Sequence, residues 1–127
     1  MSKIHKKGWE IRNFLIRKGW KTPNTYSRHY DEIPEKSGCY LFIMIGFGHD
    51  NYEMERVLYA GKSINLKQRH TSHEVHREIG RVICEMEDVI IQTWFLELSE
   101  EIIDEFEVDL IKKYSPPFNL QHRKKEL

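Results

Sequence analysis

The stretch from Leu58 to His73, LYAGKSINLKQRHTSH, concentrates side chains that can handle a phosphate: Tyr59, Lys62, Arg69 and His73. Lysine and arginine supply positive charge and donors, and a guanidinium can grip a phosphate at two points. A phenol beside such charge, and beside a metal ion, is expected to have a lowered pKa, so that it can activate water as a general base. Two residues outside the stretch extend the idea. Tyr40 sits in an earlier apolar run, and Glu107 sits in a late helical pattern beside the apolar stripe. A carboxylate that faces a core costs several kcal/mol unless it is paired or binds a metal. One carboxylate, a phosphate and waters are a common way to hold Mg²⁺. Each residue also has a plainer reading: tyrosines in strands pack, and a rim carboxylate pairs with a base.

The elements that must position these groups follow from periodicity. Gly38-Cys-Tyr-Leu-Phe-Ile-Met-Ile-Gly46 is rich in strand formers and apolar on both faces, as a strand covered on both sides would be. A polar loop, Gly46 to Glu55, leads to a second strand, Arg56 to Ala60. The link is too short for a parallel crossover, so the two strands pair antiparallel and bring Tyr40 and Tyr59 together. Gly61 is expected to permit a sharp strand exit and Ser63 to cap the next helix, Ile64 to about His70. Asn65, Arg69 and His73 recur at i, i+4 and i+8, and would share one helix face if the helix ran that far. A further helix spans Glu74 to Glu87, with Val75, Ile79, Val82, Ile83 and Met86 as its buried stripe. A third strand spans Val89 to Leu98. Ser99 is expected to cap the last helix, Glu100 to about Tyr114, which Pro116-Pro117 stops. Its stripe is Ile103, Phe106, Leu110, Ile111 and Tyr114. Ahead of all this, Trp9 to Trp20 reads as a helix ended by Gly19, followed by a linker over 21–36. The fold class expected is α+β, an α/β sandwich: a small three-stranded antiparallel sheet flanked by helices.

The 127 residues suit one domain. Formal net charge is zero, which argues against binding of nucleic acid by bulk charge alone. The charge is uneven: residues 1–30 hold eight bases against one acid, while residues 31–96 and 97–127 are net acidic. A basic end on an acidic body can attract a polyanion, although a solvated amphipathic helix would look the same. Cys39 and Cys84 lack metal-type spacing and read as small hydrophobes, and His49-Asp50 reads as turn chemistry. No apolar run is long enough to span a bilayer and no signal-peptide pattern is present, so a cytoplasmic protein with no membrane partner is expected.

The ordered motifs resemble the GIY-YIG endonucleases. Gly38-Cys39-Tyr40 stands where the family has GIY, and Tyr59-Ala60-Gly61 where it has YIG. Gly61-Lys62-Ser63-x-Asn65-Leu66-x-x-Arg69 matches the family's helix signature, and His73 the His or Tyr that follows it. Glu107 stands at the metal-binding Glu, and Asn119, after Pro116-Pro117-Phe118, at the Asn that closes the domain. Cys39 and Ala60 replace the central Ile of each triplet, a packing change. The match divides the chain into a basic N-terminal helix and linker (1–36), a nuclease-like domain (37–120) and a charged tail (121–127).

The resemblance implies a DNA endonuclease of phage or restriction type that uses one Mg²⁺ or Mn²⁺. Tyr59, or Tyr40 in concert with it, would orient and deprotonate water. Arg69 would hold the phosphate. Lys62 would position the water or lower the phenol pKa, and His73 would contact the phosphate or relay a proton. Glu107 would hold the metal, with Gly61, Asn65 and Asn119 as structural support. DNA contacts are expected from Lys62, Arg69, Lys7, Arg12 and Lys18. So little recognition surface suggests a homodimer or higher oligomer. Two alternatives stay open: a structure-specific repair nuclease, and a non-catalytic interaction module on the same fold. The joint presence of Tyr40, Tyr59, Arg69 and Glu107 speaks against the module.

Overall fold

The strand 38–47 is apolar at nearly every position, and it lies in the middle of the sheet. A computed structural model describes residues 9–22, 33–47, 53–72 and 89–119. Its elements are α1 (Glu10–Arg17), β1 (Gly38–Phe47), β2 (Glu53–Ser63), α2 (Leu66–Ser72), β3 (Val89–Glu97) and α3 (Ile103–Tyr114). The sheet order is β2-β1-β3, and both pairings are antiparallel. This is the three-stranded α+β arrangement expected from the pattern. The expected helix over 74–87, most of the linker and the tip of the 46–55 loop lie outside the described residues, as does the tail.

Alternation along β1 sorts the core into two layers. Cys39, Leu41, Ile43 and Ile45 point to one face, here face A, where they pack with Val57, Ala60 and Trp94. Leu15 and Trp20 from α1 and its exit, and Ile103 and Leu110 from α3, cover that face. Tyr40 and Phe42 point to the opposite face B, with Leu58, Phe95, Ile33, Leu66 of α2 and Phe118. The N-terminal helix thus contributes to the same core as the sheet. Among the described residues no helix is long and apolar enough to cross a membrane.

The pairing of β1 with β2 slips between Phe42 and Ile43: Phe42 faces Tyr59, Ile43 faces Val57, and Leu58 is the extra residue. This is a β-bulge, and it reverses alternation locally. Leu58 and Tyr59 therefore share face B, while Val57 and Ala60 share face A.

Several boundaries differ from expectation for identifiable reasons. Strand β2 runs from 53 to 63, not 56 to 60, because each of its residues except Leu58 pairs with β1. Gly61 is therefore inside the strand. Helix α2 starts at Leu66, and its cap is Asn65: the Asn65 Oδ1 accepts the Gln68 N–H at 3.1 Å. Ser63 instead pins the turn, accepting the Asn65 N–H at 3.0 Å through its hydroxyl. Helix α3 starts at Ile103, and Ile102, without a side-chain cap, takes the position expected of Ser99. Gly19 ends α1 as expected, with φ of 88° and the Trp20 N–H returning to the Leu15 carbonyl at 3.0 Å.

Candidate active site

Strand pairing builds one half of the site. Tyr40 lies directly opposite Gly61 across the β1–β2 ladder. A Cβ added at Gly61 would stand 2.3 Å from Tyr40 Cζ and 2.4 Å from its hydroxyl. The Tyr40 ring thus lies down over the glycine, and any side chain there would displace it. Gly61 is required by this close approach, not by a sharp strand exit. Gly38 is confined in the same way, since a Cβ would meet the Leu96 carbonyl oxygen at 2.1 Å.

The bulge delivers the second tyrosine to the same face. The Tyr40 and Tyr59 rings stack with centroids 6.0 Å apart at 29°, and Phe42 and Tyr59 stack at 5.9 Å. Such offset contacts fix ring positions beyond what area burial achieves. Tyr40 is buried, while Tyr59 is half-buried and faces outward. Burial raises the Tyr40 pKa above its ordinary value, and the neighbouring Tyr59 and Glu107 add to the rise. Arg69, as a donor and as a charge, pulls it down but does not win. Of the protein's own groups, desolvation outweighs the guanidinium at Tyr40.

The edge strand is braced from outside. Asn119 Oδ1 accepts the Ala60 N–H at 2.8 Å, and Asn119 Nδ2 donates to the Ala60 carbonyl at 2.7 Å. One buried amide thus satisfies both outward backbone groups of Ala60, as a further strand would. It fixes the residue between Tyr59 and Gly61. Leu66 and Lys67 donate their N–H groups to the Lys36 and Pro34 carbonyls, which anchors the start of α2 and with it Arg69. Arg69 is exposed.

The other half of the site comes from face A. Lys62 is opposite Cys39, so its side chain leaves the sheet on the face away from the tyrosine rings. It donates to Asp104 Oδ1 of α3 at 2.5 Å, and this bond is the chief cause of its raised pKa, with Glu107 contributing. Lys62 is thus not a neighbour that lowers the Tyr40 pKa. Cys39 donates to the Ile103 carbonyl at 3.6 Å, and burial, helped by the Glu107 charge, pushes its thiol up to about 12. Glu107 is half-buried, one turn beyond Ile103, and its charge is felt at Cys39, Lys62 and Tyr40. The carboxylate therefore serves the same end of the sheet as the tyrosines.

The donor set suits one kind of ion. Among the described residues no three His, Cys, Asp or Glu side chains gather to form a cage. A half-buried carboxylate such as Glu107 could serve a hard cation that keeps most of its waters and shares a substrate phosphate, as Mg²⁺ does.

Two expected DNA contacts are displaced. Arg12 is 2% exposed, and it forms ion pairs with Glu53 and Glu55, each at 2.9 Å. The Ile11 N–H also donates to Glu55, and the Arg12 guanidinium lies 3.7 Å from the Trp9 ring centroid. This cluster docks α1 onto β2, so Arg12 is a structural ion pair and not a surface for DNA. Lys18 is exposed, but α1 covers face A, across the sheet from the tyrosines. Lys7 and His73 lie outside the described residues. Asp104 was not singled out by the sequence; its place one turn before Glu107 was the available signal.

Comparison with known proteins adds a separate line. The chain is similar to proteins named UvrABC system protein C. It is 36% identical to that of Lactobacillus helveticus over 92 residues, 70% of this chain and 14% of the relative. The protein from Methanothermobacter thermautotrophicus is 30% identical over 91 residues, 72% of this chain and again 14% of the relative. That of Mycoplasma mycoides is 34% identical over 93 residues. The chain thus spans about one seventh of the length of these relatives. No family model matches the chain, and no solved structure does.

Proposed function

We propose that the chain is a metal-dependent nuclease of GIY-YIG type that hydrolyses phosphodiester bonds in DNA, in the cytoplasm and in the service of repair. One observation carries the reading: at one end of the sheet two stacked tyrosines and an exposed arginine gather, and the charge of a half-buried glutamate is felt there, although the four come from different elements. Similarity to UvrABC system protein C favours repair over a phage or restriction role.

The two tyrosines divide the labour. Tyr40, kept protonated by burial, donates a hydrogen bond and orients the attacking water. Tyr59, half-buried and reachable from outside, takes the proton from that water as general base. Arg69 holds the phosphate and offsets charge that builds on its oxygens in line with the attack. Glu107 would hold one Mg²⁺ or Mn²⁺, which when bound stabilises charge on the leaving 3′-oxygen. Gly61, Asn65 and Asn119 fix the positions of Tyr40, α2 and β2.

The test is nicking of supercoiled plasmid in Mg²⁺ by the wild type, Glu107→Ala and Tyr59→Phe. Losses of about a hundredfold or more are expected for both variants, the range for removing a general base or a charge-stabilising group. Equal nicking by all three would sink the catalytic assignment. Flap and bubble substrates then separate the roles: cutting at the junction supports repair, and double-strand breaks at one fixed sequence in intact duplex overturn it.

A further inference from the structure

The β-bulge that delivers Tyr59 to face B delivers a second residue there. Arg56 lies opposite Met44, which packs into the face B layer. Had alternation continued unbroken from Tyr59, Arg56 would point away from face B. Counting back through the bulge, Val57 turns to face A and Arg56 to face B. Arg56 is exposed, and it pairs with no carboxylate among the described residues. The contrast with Arg12 is direct: each lies near Glu53 and Glu55 in space or in sequence, but Arg56 alternates with them along β2 and so leaves the sheet on the other face.

We propose that Arg56 and Arg69, flanking Tyr59 on face B, form a track for the sugar-phosphate backbone of DNA, with Arg56 anchoring a phosphate away from the one that is cut. Tyr59 and Arg56 face Phe42 and Met44, two steps apart on β1, about 7 Å at roughly 3.3 Å per residue. That matches about two nucleotides at the 3.4 Å rise of one DNA strand. Charge fits the same occupant. The exposed acids Asp104, Glu105 and Asp109 belong to α3, on face A, and Glu101 to the turn that leads into it. A polyanion is therefore repelled by one side of the sheet and met by two arginines on the other. Arg56 touches no reacting atom; it is a positioning residue, and it rests on the nuclease reading only for the identity of the polyanion.

The experiment measures binding of the full chain to a fluorescein-labelled DNA duplex by anisotropy, in EDTA so that cleavage does not intrude, across a salt series. Arg56→Gln should weaken binding about three- to tenfold near 0.1 M salt and reduce the log–log salt slope by about 0.7 to 0.9, the signature of one lost phosphate contact. Arg56→Lys should restore the slope. Arg17→Gln removes the same charge from α1 and should change affinity by less than about twofold. Circular dichroism checks that each variant is folded. An unchanged slope for Arg56→Gln, or an equal loss for Arg17→Gln, overturns the track. Slope loss without any Glu107-dependent nicking keeps the track and removes the nuclease reading. A wild type that binds no DNA removes both.

Discussion

The two faces of one three-stranded sheet are put to different uses. Face A is an apolar layer under two helices, closed by a buried arginine with two glutamates. Face B carries three aromatic rings in contact, and one of them, Tyr59, reaches the surface between two arginines. The same strands supply both, and even the charges are split: Arg12 goes inward on face A, while Arg56 and Arg69 stay outside on face B. The lesson is that residue type does not set the role. A buried guanidinium held by two carboxylates contributes to docking, and an exposed one beside a tyrosine is available to a phosphate.

Substitutions should separate the faces, and the largest effect belongs to face A. Arg12→Ala leaves Glu55 buried without its main partner and should cost about 3–5 kcal/mol in urea unfolding. Activity per folded molecule should hardly change. A loss of nicking that exceeds the loss of folded protein would show that α1 serves the chemistry after all. Gly61→Ala on face B inverts the pattern. Overpacking should cost about 1–3 kcal/mol, yet displacement of Tyr40 should reduce plasmid nicking by an order of magnitude or more. Normal nicking by folded Gly61→Ala would break the link between the glycine and the ring.

Asn119→Ala exposes how far the edge of β2 matters to both faces. It strips the partners from a buried N–H and a buried carbonyl, at about 1–3 kcal/mol, and amide exchange at Ala60 should accelerate. Alkali gives a smaller and graded effect. Cys39 has its thiol raised from 9.0 to about 12, so between those values the unfolded chain sheds a proton that the folded chain keeps. Stability must therefore fall as pH rises from about 9, and the raised Tyr40 pKa continues the fall above 10. Cys39→Ala should flatten the first part of that fall in the urea midpoint. Asp104→Asn should be the mildest change. Its bond to Lys62 joins two substantially exposed groups, 40% and 76%, and such pairs contribute at most about 1 kcal/mol. A larger loss would mean that Lys62 is held for the fold and not for the site.

Much of the architecture was legible because apolar period and turn chemistry are local. The runs at 38–46 and 89–98, the Gly19 stop and the central position of β1 all follow from residue order. Boundaries that depend on pairing were not legible. Strand β2 extends to Ser63 because β1 is long enough to pair with it that far, and Ser63 lost the cap to Asn65 once the strand had consumed the turn. At the site, the tyrosines, Arg69 and Glu107 could be chosen from spacing and resemblance, but Lys62 could not be assigned a face. A shift of one residue at Leu58 decides that, and a bulge leaves no clear mark in a run such as Arg-Val-Leu-Tyr-Ala.

By itself the sequence determined the element types, their order and the short set of polar residues worth testing, since these depend on local propensity and spacing. Tertiary structure decided which of those residues share a face. It buried Arg12, turned Lys62 toward Asp104, laid Tyr40 over Gly61 and brought Arg56 out beside Tyr59. The physical reason is that side-chain direction in a sheet alternates with every residue. One bulge and the docking side of one helix therefore reassign each group, and both are fixed only when the whole core packs.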